Sequence, residues 1–133
     1  MTLVPAKLAK VILADERDEQ VVVIAEEKGN RYFPISIGVF EAIALQRRLH
    51  DAKGISRPLT HDLVANCISA LGGQLLSVRI VNLEDGTFFA ELVIETSDGE
   101  VVVDCRPSDA LVLASEQLCP LEVDEEIFRQ SAL

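Results

Sequence analysis

Residues 11–45 read VILADERDEQVVVIAEEKGNRYFPISIGVFEAIAL, and residues 78–113 read VRIVNLEDGTFFAELVIETSDGEVVVDCRPSDALVL. In each stretch an apolar run meets an acidic turn. A second apolar run, a Gly-containing turn, a third run and a helical pattern follow in the same order. Val11 corresponds to Val78 and Glu41 to Asp109, offsets of 67 and 68 positions. The two helices begin alike, Gly38-Val39-Phe40-Glu41-Ala42-Ile43 lying over Arg106-Pro107-Ser108-Asp109-Ala110-Leu111. Each places a carboxylate one residue before an Ala at a helix start. The pattern predicts an internally duplicated βββα domain, and it singles out Glu41 and Asp109.

Working outward, the spacing predicts strands over Lys7–Ala14, Gln20–Ala25 and Tyr32–Ile37, rich in the β-branched residues that suit a pleated surface. Pro34 lacks an N–H and points to an edge position or a strand start. A helix is predicted from Val39 to about Ala52, with Ala42, Leu45, Leu49 and Ala52 on one face. The next helix has a marked start. Thr60 is suited to cap it, Leu59 and Val64 to staple it, and Asp62 to complement its dipole. Leu63, Val64, Cys67, Ile68 and Leu71 form its apolar stripe, and Gly72-Gly73 end it. Asp85-Gly86 and Asp98-Gly99 mark two hairpins. A helix from Pro107 to about Leu118, a short extended piece Leu121–Val123 and a short helix over 124–131 complete the chain. Tight hairpins require antiparallel pairing. The expected fold class is therefore α+β: duplicated βββα units whose largely antiparallel or mixed sheet is covered by helices. All 133 residues fit one domain, with its core over about 7–123.

Composition narrows the function. Apolar residues make up 49% of the chain, which suits a packed core and not a disordered one. No apolar run reaches the roughly 20 residues that cross a bilayer, and no secretory leader is evident, so a cytoplasmic location without membrane association is expected. Cys67, Cys105 and Cys119 form no metal or redox spacing and read as buried or half-buried thiols in a reducing compartment. Net charge is −10. Nucleic-acid binders draw much of their affinity from basic patches, so nucleic acid as a partner is possible but disfavoured by this charge. The charge is uneven. Between Arg31 and His61 stand Arg31, Arg47, Arg48, Lys53 and Arg57 against Glu41 and Asp51, a local +3 that leaves −13 on the rest.

Two Arg-Pro dipeptides precede helices, in Arg57-Pro58-Leu59-Thr60-His61-Asp62 and Arg106-Pro107-Ser108-Asp109. Each brings a guanidinium, a hydroxyl and a carboxylate to a helix N-terminus, whose free N–H groups suit a phosphate or a carboxylate. The same residues also suit helix caps and Arg–carboxylate bridges. His61 is a candidate general base or acid, while His50 beside Asp51 reads as a surface residue. Carboxylates that converged, such as Glu41 and Asp109, could hold Mg²⁺ or Mn²⁺. There is no Walker A, G-x-S-x-G, H-E-x-x-H or G-x-G-x-x-G motif.

Four motifs in order resemble the bifunctional nuclease domain family. They are Pro34-Ile35-Ser36-Ile37-Gly38 with Glu41-Ala42; Arg57-Pro58-Leu59-Thr60-His61-Asp62-Leu63; Leu83-Glu84-Asp85-Gly86-Thr87-Phe88-Phe89-Ala90; and Asp104-Cys105-Arg106-Pro107-Ser108-Asp109-Ala110. The resemblance spans about Lys7 to Val123. It implies a compact α+β homodimer and nuclease activity on RNA and DNA with little sequence preference. Set on these residues, the chemistry expected is metal-assisted phosphodiester cleavage. His61, Asp62 and Asp109 would be catalytic; Arg57, Arg106, Thr60 and Ser108 would bind substrate; Glu41 and Asp109 would hold the cation. The alternative is a non-enzymatic dimeric regulatory or scaffold domain that binds a small anion or a protein partner.

Overall fold

A computed structural model describes residues 1–13, 19–49 and 57–133. Its strands are β1 (Leu3–Ile12), β2 (Glu19–Glu26), β3 (Tyr32–Gly38), β4 (Gln74–Glu84), β5 (Thr87–Thr96), β6 (Gly99–Cys105) and β7 (Leu121–Asp124). Its helices are α1 (Val39–Leu49), α2 (Thr60–Ala70), α3 (Pro107–Gln117) and α4 (Glu125–Ser131). The strands form one sheet in the order β3-β2-β1-β7-β4-β5-β6. Each repeat is a three-stranded antiparallel meander followed by a helix, as its sequence predicts. The short β7 joins the two, antiparallel to β1 and parallel to β4. The class is α+β with a mixed sheet, and among the described strands the β4–β7 pair is the parallel one.

One face of the sheet is apolar almost from edge to edge. Phe33 pairs with Ile24, Ala6 with Leu121, Leu121 with Val78, and Val78 with Leu92, all buried. Ala42 and Leu45 of α1, Ala110 to Leu113 of α3, and Ile127 and Phe128 of α4 join the same core. The sheet coils far enough for Phe33 of β3 to stack on Phe88 of β5, with centroids 5.5 Å apart, while Phe128 meets Phe33 edge-on at 5.2 Å. Arg31 fixes α4 from outside. It donates to Glu26 and Glu125 at 2.8 Å each and lies over the Phe128 ring. One of the five cations of the basic segment is therefore committed to Glu26 and Glu125.

The turn chemistry performs as the residues dictate. Asp85 and Gly86 both take positive φ, 49° and 80°, the conformation a two-residue hairpin with matching twist requires. Gly72, at φ 82°, ends α2. Its N–H donates to Ser69 O at 3.0 Å and that of Gly73 to Ile68 O at 2.9 Å, the paired bonds of a Schellman stop. Pro34 lies on an edge strand, where its missing N–H costs no ladder bond.

The start and stripe of α2 depart from the sequence reading. Its cap is Leu59, not Thr60, and no side chain caps it. Asp62 instead accepts from the Leu59 N–H at 2.9 Å, tying the first turn from the helix side. With Leu59 at the cap, Leu59 and Val64 no longer stand in staple register. No residue of α2 is buried. Of the predicted stripe only Ile68 leans on the core, joined by Ala65 from outside it, while Leu63, Val64, Cys67 and Leu71 are exposed. Cys67 is thus an exposed thiol, not a core one. The end of the first predicted helix beyond Leu49, with His50, Asp51 and Lys53, and the Arg48 side chain lie outside the described residues. Among the described residues no helix is long and apolar enough to cross a membrane.

Candidate active site

Three helix starts converge on one ion network. Glu41 is the third residue of α1, Asp109 the third of α3, Arg106 the cap of α3 and His61 the second residue of α2. Arg106 grips Asp109 with two N–H groups, Nε to Oδ2 and Nη2 to Oδ1, both at 2.9 Å. Its third nitrogen, Nη1, reaches Glu41 Oε1 at 2.9 Å. Asp109 Oδ1 also meets His61 Nε2 at 3.0 Å. The chain Glu41–Arg106–Asp109–His61 therefore ties α1, α3 and α2 together. The duplication has a geometric product: the two corresponding carboxylates of the repeats meet on one guanidinium.

Electrostatics follow from the contacts. Hydrogen bonds from Arg106, opposed by partial burial and reinforced by His61, hold the Asp109 carboxyl below its ordinary value. Arg106 is raised, chiefly by its bond to Asp109. With Nε2 donating to Asp109, the His61 ring is fixed in tautomer and direction, and Nδ1 is the nitrogen left to exchange a proton. Arg106 has donors in reserve: its three bonds leave one N–H on each of Nη1 and Nη2, and its side chain is 63% exposed.

The network sits in the wall of a cleft of about 520 Å³. Apolar side chains form most of the lining: Phe40 and Ala44 from α1, Leu59 and Val64 around the start of α2, Leu92 from β5 and Leu113 from α3. Cys105 also lines it, but burial, with Asp109, Asp104 and Glu91 nearby, pushes its thiol up to about 12. A thiol so held is no nucleophile at neutral pH.

The expected site residues fall into three groups. His61, Arg106, Asp109 and Glu41 are brought together, and Thr60 lines the same cleft. Ser108 is buried and faces a different cleft, formed by β3, the β4–β5 turn and the start of α3. Asp62 bonds the Leu59 backbone, and Arg57 is exposed and does not line the cleft. The carboxylates expected to hold Mg²⁺ or Mn²⁺ both bind Arg106, and among the described residues no group of three His, Cys, Asp or Glu side chains is placed for a metal ion. So arranged, Glu41 and Asp109 fit a guanidinium and do not fit a hard cation, which needs several free oxygens. The apolar lining was missed by motif reasoning. Phe40 offered the one signal, an aromatic beside a polar helix start.

The sequence model of the bifunctional nuclease domain matches residues 22–133. The chain is also 40% identical over 119 residues to an uncharacterised Mycobacterium tuberculosis protein, Rv1829 in strain ATCC 25618 / H37Rv and MT1877 in strain CDC 1551 / Oshkosh. That alignment covers 88% of this chain and 69% of the mycobacterial one.

Proposed function

From a chain that belongs to the bifunctional nuclease domain family, we propose a phosphodiesterase that hydrolyses RNA and DNA strands with little sequence preference. One observation carries the reading: His61 is oriented by Asp109 at 3.0 Å in the wall of a cleft that also presents Arg106. In this proposal His61 Nδ1 takes a proton from water. The water oxygen bonds to phosphorus, the P–O bond to the leaving sugar breaks, and the imidazolium returns its proton to that oxygen. Asp109 stabilises the imidazolium, and the uncommitted N–H groups of Arg106 neutralise the phosphoryl oxygens. Glu41 is a positioning residue that holds Arg106. No step uses a metal ion.

The test is cleavage of fluorescent single-stranded RNA and DNA by wild type, His61→Ala and Asp109→Asn, purified identically, in Mg²⁺, Mn²⁺ or EDTA. Loss of about 10²-fold or more in both folded variants is expected, with activity retained in EDTA. Equal cleavage by all three proteins would assign the activity to a contaminant. Cleavage abolished by EDTA would replace the metal-free scheme with a metal-assisted one.

A second reading, a dimeric regulatory or scaffold domain, has its own support. Edge strand β6 exposes Val101, Val102 and Val103. We place a homodimer contact there under either reading, in the cytoplasm, where the three free thiols would stay reduced.

A further inference from the structure

The cleft around the ion network has one aromatic wall. Phe40 is the second residue of α1, one position before Glu41. Two positions along a helix are about 200° apart, so a residue two before the buried Ala42 faces away from the core. Phe40 and Ala44, one turn apart, share that side and both line the cleft. The five Phe of the chain are used differently. Phe33, Phe88 and Phe128 pack ring on ring at the core, whereas Phe40 is 80% exposed. Leu59, Val64 and Val103, which share its cleft, are also exposed apolar side chains. One exposed apolar residue is ordinary on a protein surface, but a group of them around a single cleft marks a binding wall. The start of α1 that carries the ring is pinned, because Arg106 holds Glu41 at 2.9 Å. His61 and Arg106 line the same cleft, so the ring shares its lining with the groups assigned to the phosphodiester.

We propose that Phe40 is the platform on which a base of the substrate stacks, and that the site therefore takes single strands and rejects duplexes. The identity of the ligand rests on the phosphodiesterase reading. A ring offers its face to every base alike, which suits cleavage with little sequence preference. Net charge is −10, so phosphate contacts and counterion release supply little affinity, and apolar contact must supply the rest. At about 520 Å³ the cleft has the volume of a small-ligand site, with room for a base and not for a double helix. A paired base must first be unstacked to reach the ring, at a cost that a free strand is spared.

Phe40→Trp gives the test a reporter, because the chain has no Trp of its own. Stopped-flow mixing with oligothymidylate should quench the emission before any cleavage, and the same strand paired with oligoadenylate should leave it unchanged. In cleavage of fluorescent single strands, Phe40→Ala and Phe40→Leu should lose about tenfold or more in kcat/KM, the size of one base–aromatic stack. Phe40→Tyr and Phe40→Trp should keep the wild-type rate. Leu retains apolar bulk without the ring, so it separates stacking from packing. Wild type should cut about tenfold more slowly within a central run of stable abasic residues, and Phe40→Ala should cut that run no more slowly still. Additive losses would place the base elsewhere and overturn the proposal. It is overturned too if the Phe40→Trp emission is blue-shifted in the free protein and unmoved by the strand, since a second copy then covers the ring. Equal cleavage of single strand and duplex overturns the single-strand assignment. Quenching without cleavage by any variant removes the phosphodiesterase reading and keeps the platform; cleavage with neither quenching nor loss in Phe40→Ala does the reverse.

Discussion

Strands β3 and β6 occupy the same place in the two repeats and the two outer edges of one sheet, yet they are finished differently. In β3 exposed and buried residues alternate, with Phe33, Ile35 and Ile37 all buried. Pro34 interrupts its outer donors, Phe128 of α4 packs on Phe33, and the sheet coils to bring Phe88 against the same ring. In β6 no residue is buried, and Val102 in the middle is 54% exposed. It carries no Pro or Lys to deter pairing, the usual protection of an edge. The difference was written in the chain. Phe33-Pro34-Ile35-Ser36-Ile37 has period two and one apolar face, whereas Val101-Val102-Val103 is apolar on both faces, and all three residues are exposed. A duplicated unit can thus close one edge for folding and leave its copy open for contact.

The largest expected effect lies on the closed edge. Phe33→Ala should cost about 3–5 kcal/mol in urea unfolding, as a fully buried aromatic with two ring partners, while Val102→Ala should stay within about 0.5 kcal/mol. Similar losses at both positions in the isolated protomer would erase the distinction. Next comes association. On the proposed β6 contact, Val102→Lys should give a folded monomer by sedimentation where wild type gives a dimer; a wild-type monomer would remove the contact, and a dimeric variant would move it away from β6.

Two smaller effects sharpen how the repeats are coupled. The Asp109 carboxyl is held low in the folded protein, so its contribution is complete above the ordinary carboxylate value of about 4 and is lost as pH falls through the folded value. Wild type should exceed Asp109→Asn by about 1–2 kcal/mol at neutral pH, discounted for partial exposure, with the gap closing on acidification. A gap that widens in acid would contradict the assigned direction. The smallest effect belongs to Gly38, where an added Cβ would run into the Glu41 carboxyl. Gly38→Ala should cost only about 0.5 kcal/mol, because a flexible side chain can yield, but it should loosen Glu41 from Arg106. Narrowed line widths of the Arg106 side-chain N–H signals would show that loosening, and unchanged ones would count against it.

Local chemistry was legible in the sequence wherever it acts within a few residues. Asp85-Gly86 and Gly72-Gly73 each decide their own turn, and the βββα order follows from them. What was hidden is what depends on a third element. Thr60 has the hydroxyl of a cap, but the helix starts one residue earlier, with Asp62 reaching back to Leu59. The α2 stripe has helical period, yet a period cannot say how much of it a neighbour covers. The duplication named Glu41 and Asp109 together but suggested a cation between them. The group that lies there is Arg106, because its reach from the α3 cap spans both helices.

The short strand β7 pairs Leu3 with Asp124 on one side and Val78 with Leu121 on the other. During synthesis both three-stranded meanders emerge before it does. Until it arrives, β1 and β4 each bear a bare inner edge, and the nascent chain is two unjoined half-sheets open to pairing with other chains. Chaperone demand should therefore peak just before β7 emerges, and a premature stop before Leu121 should yield an aggregating product, not a smaller stable protein.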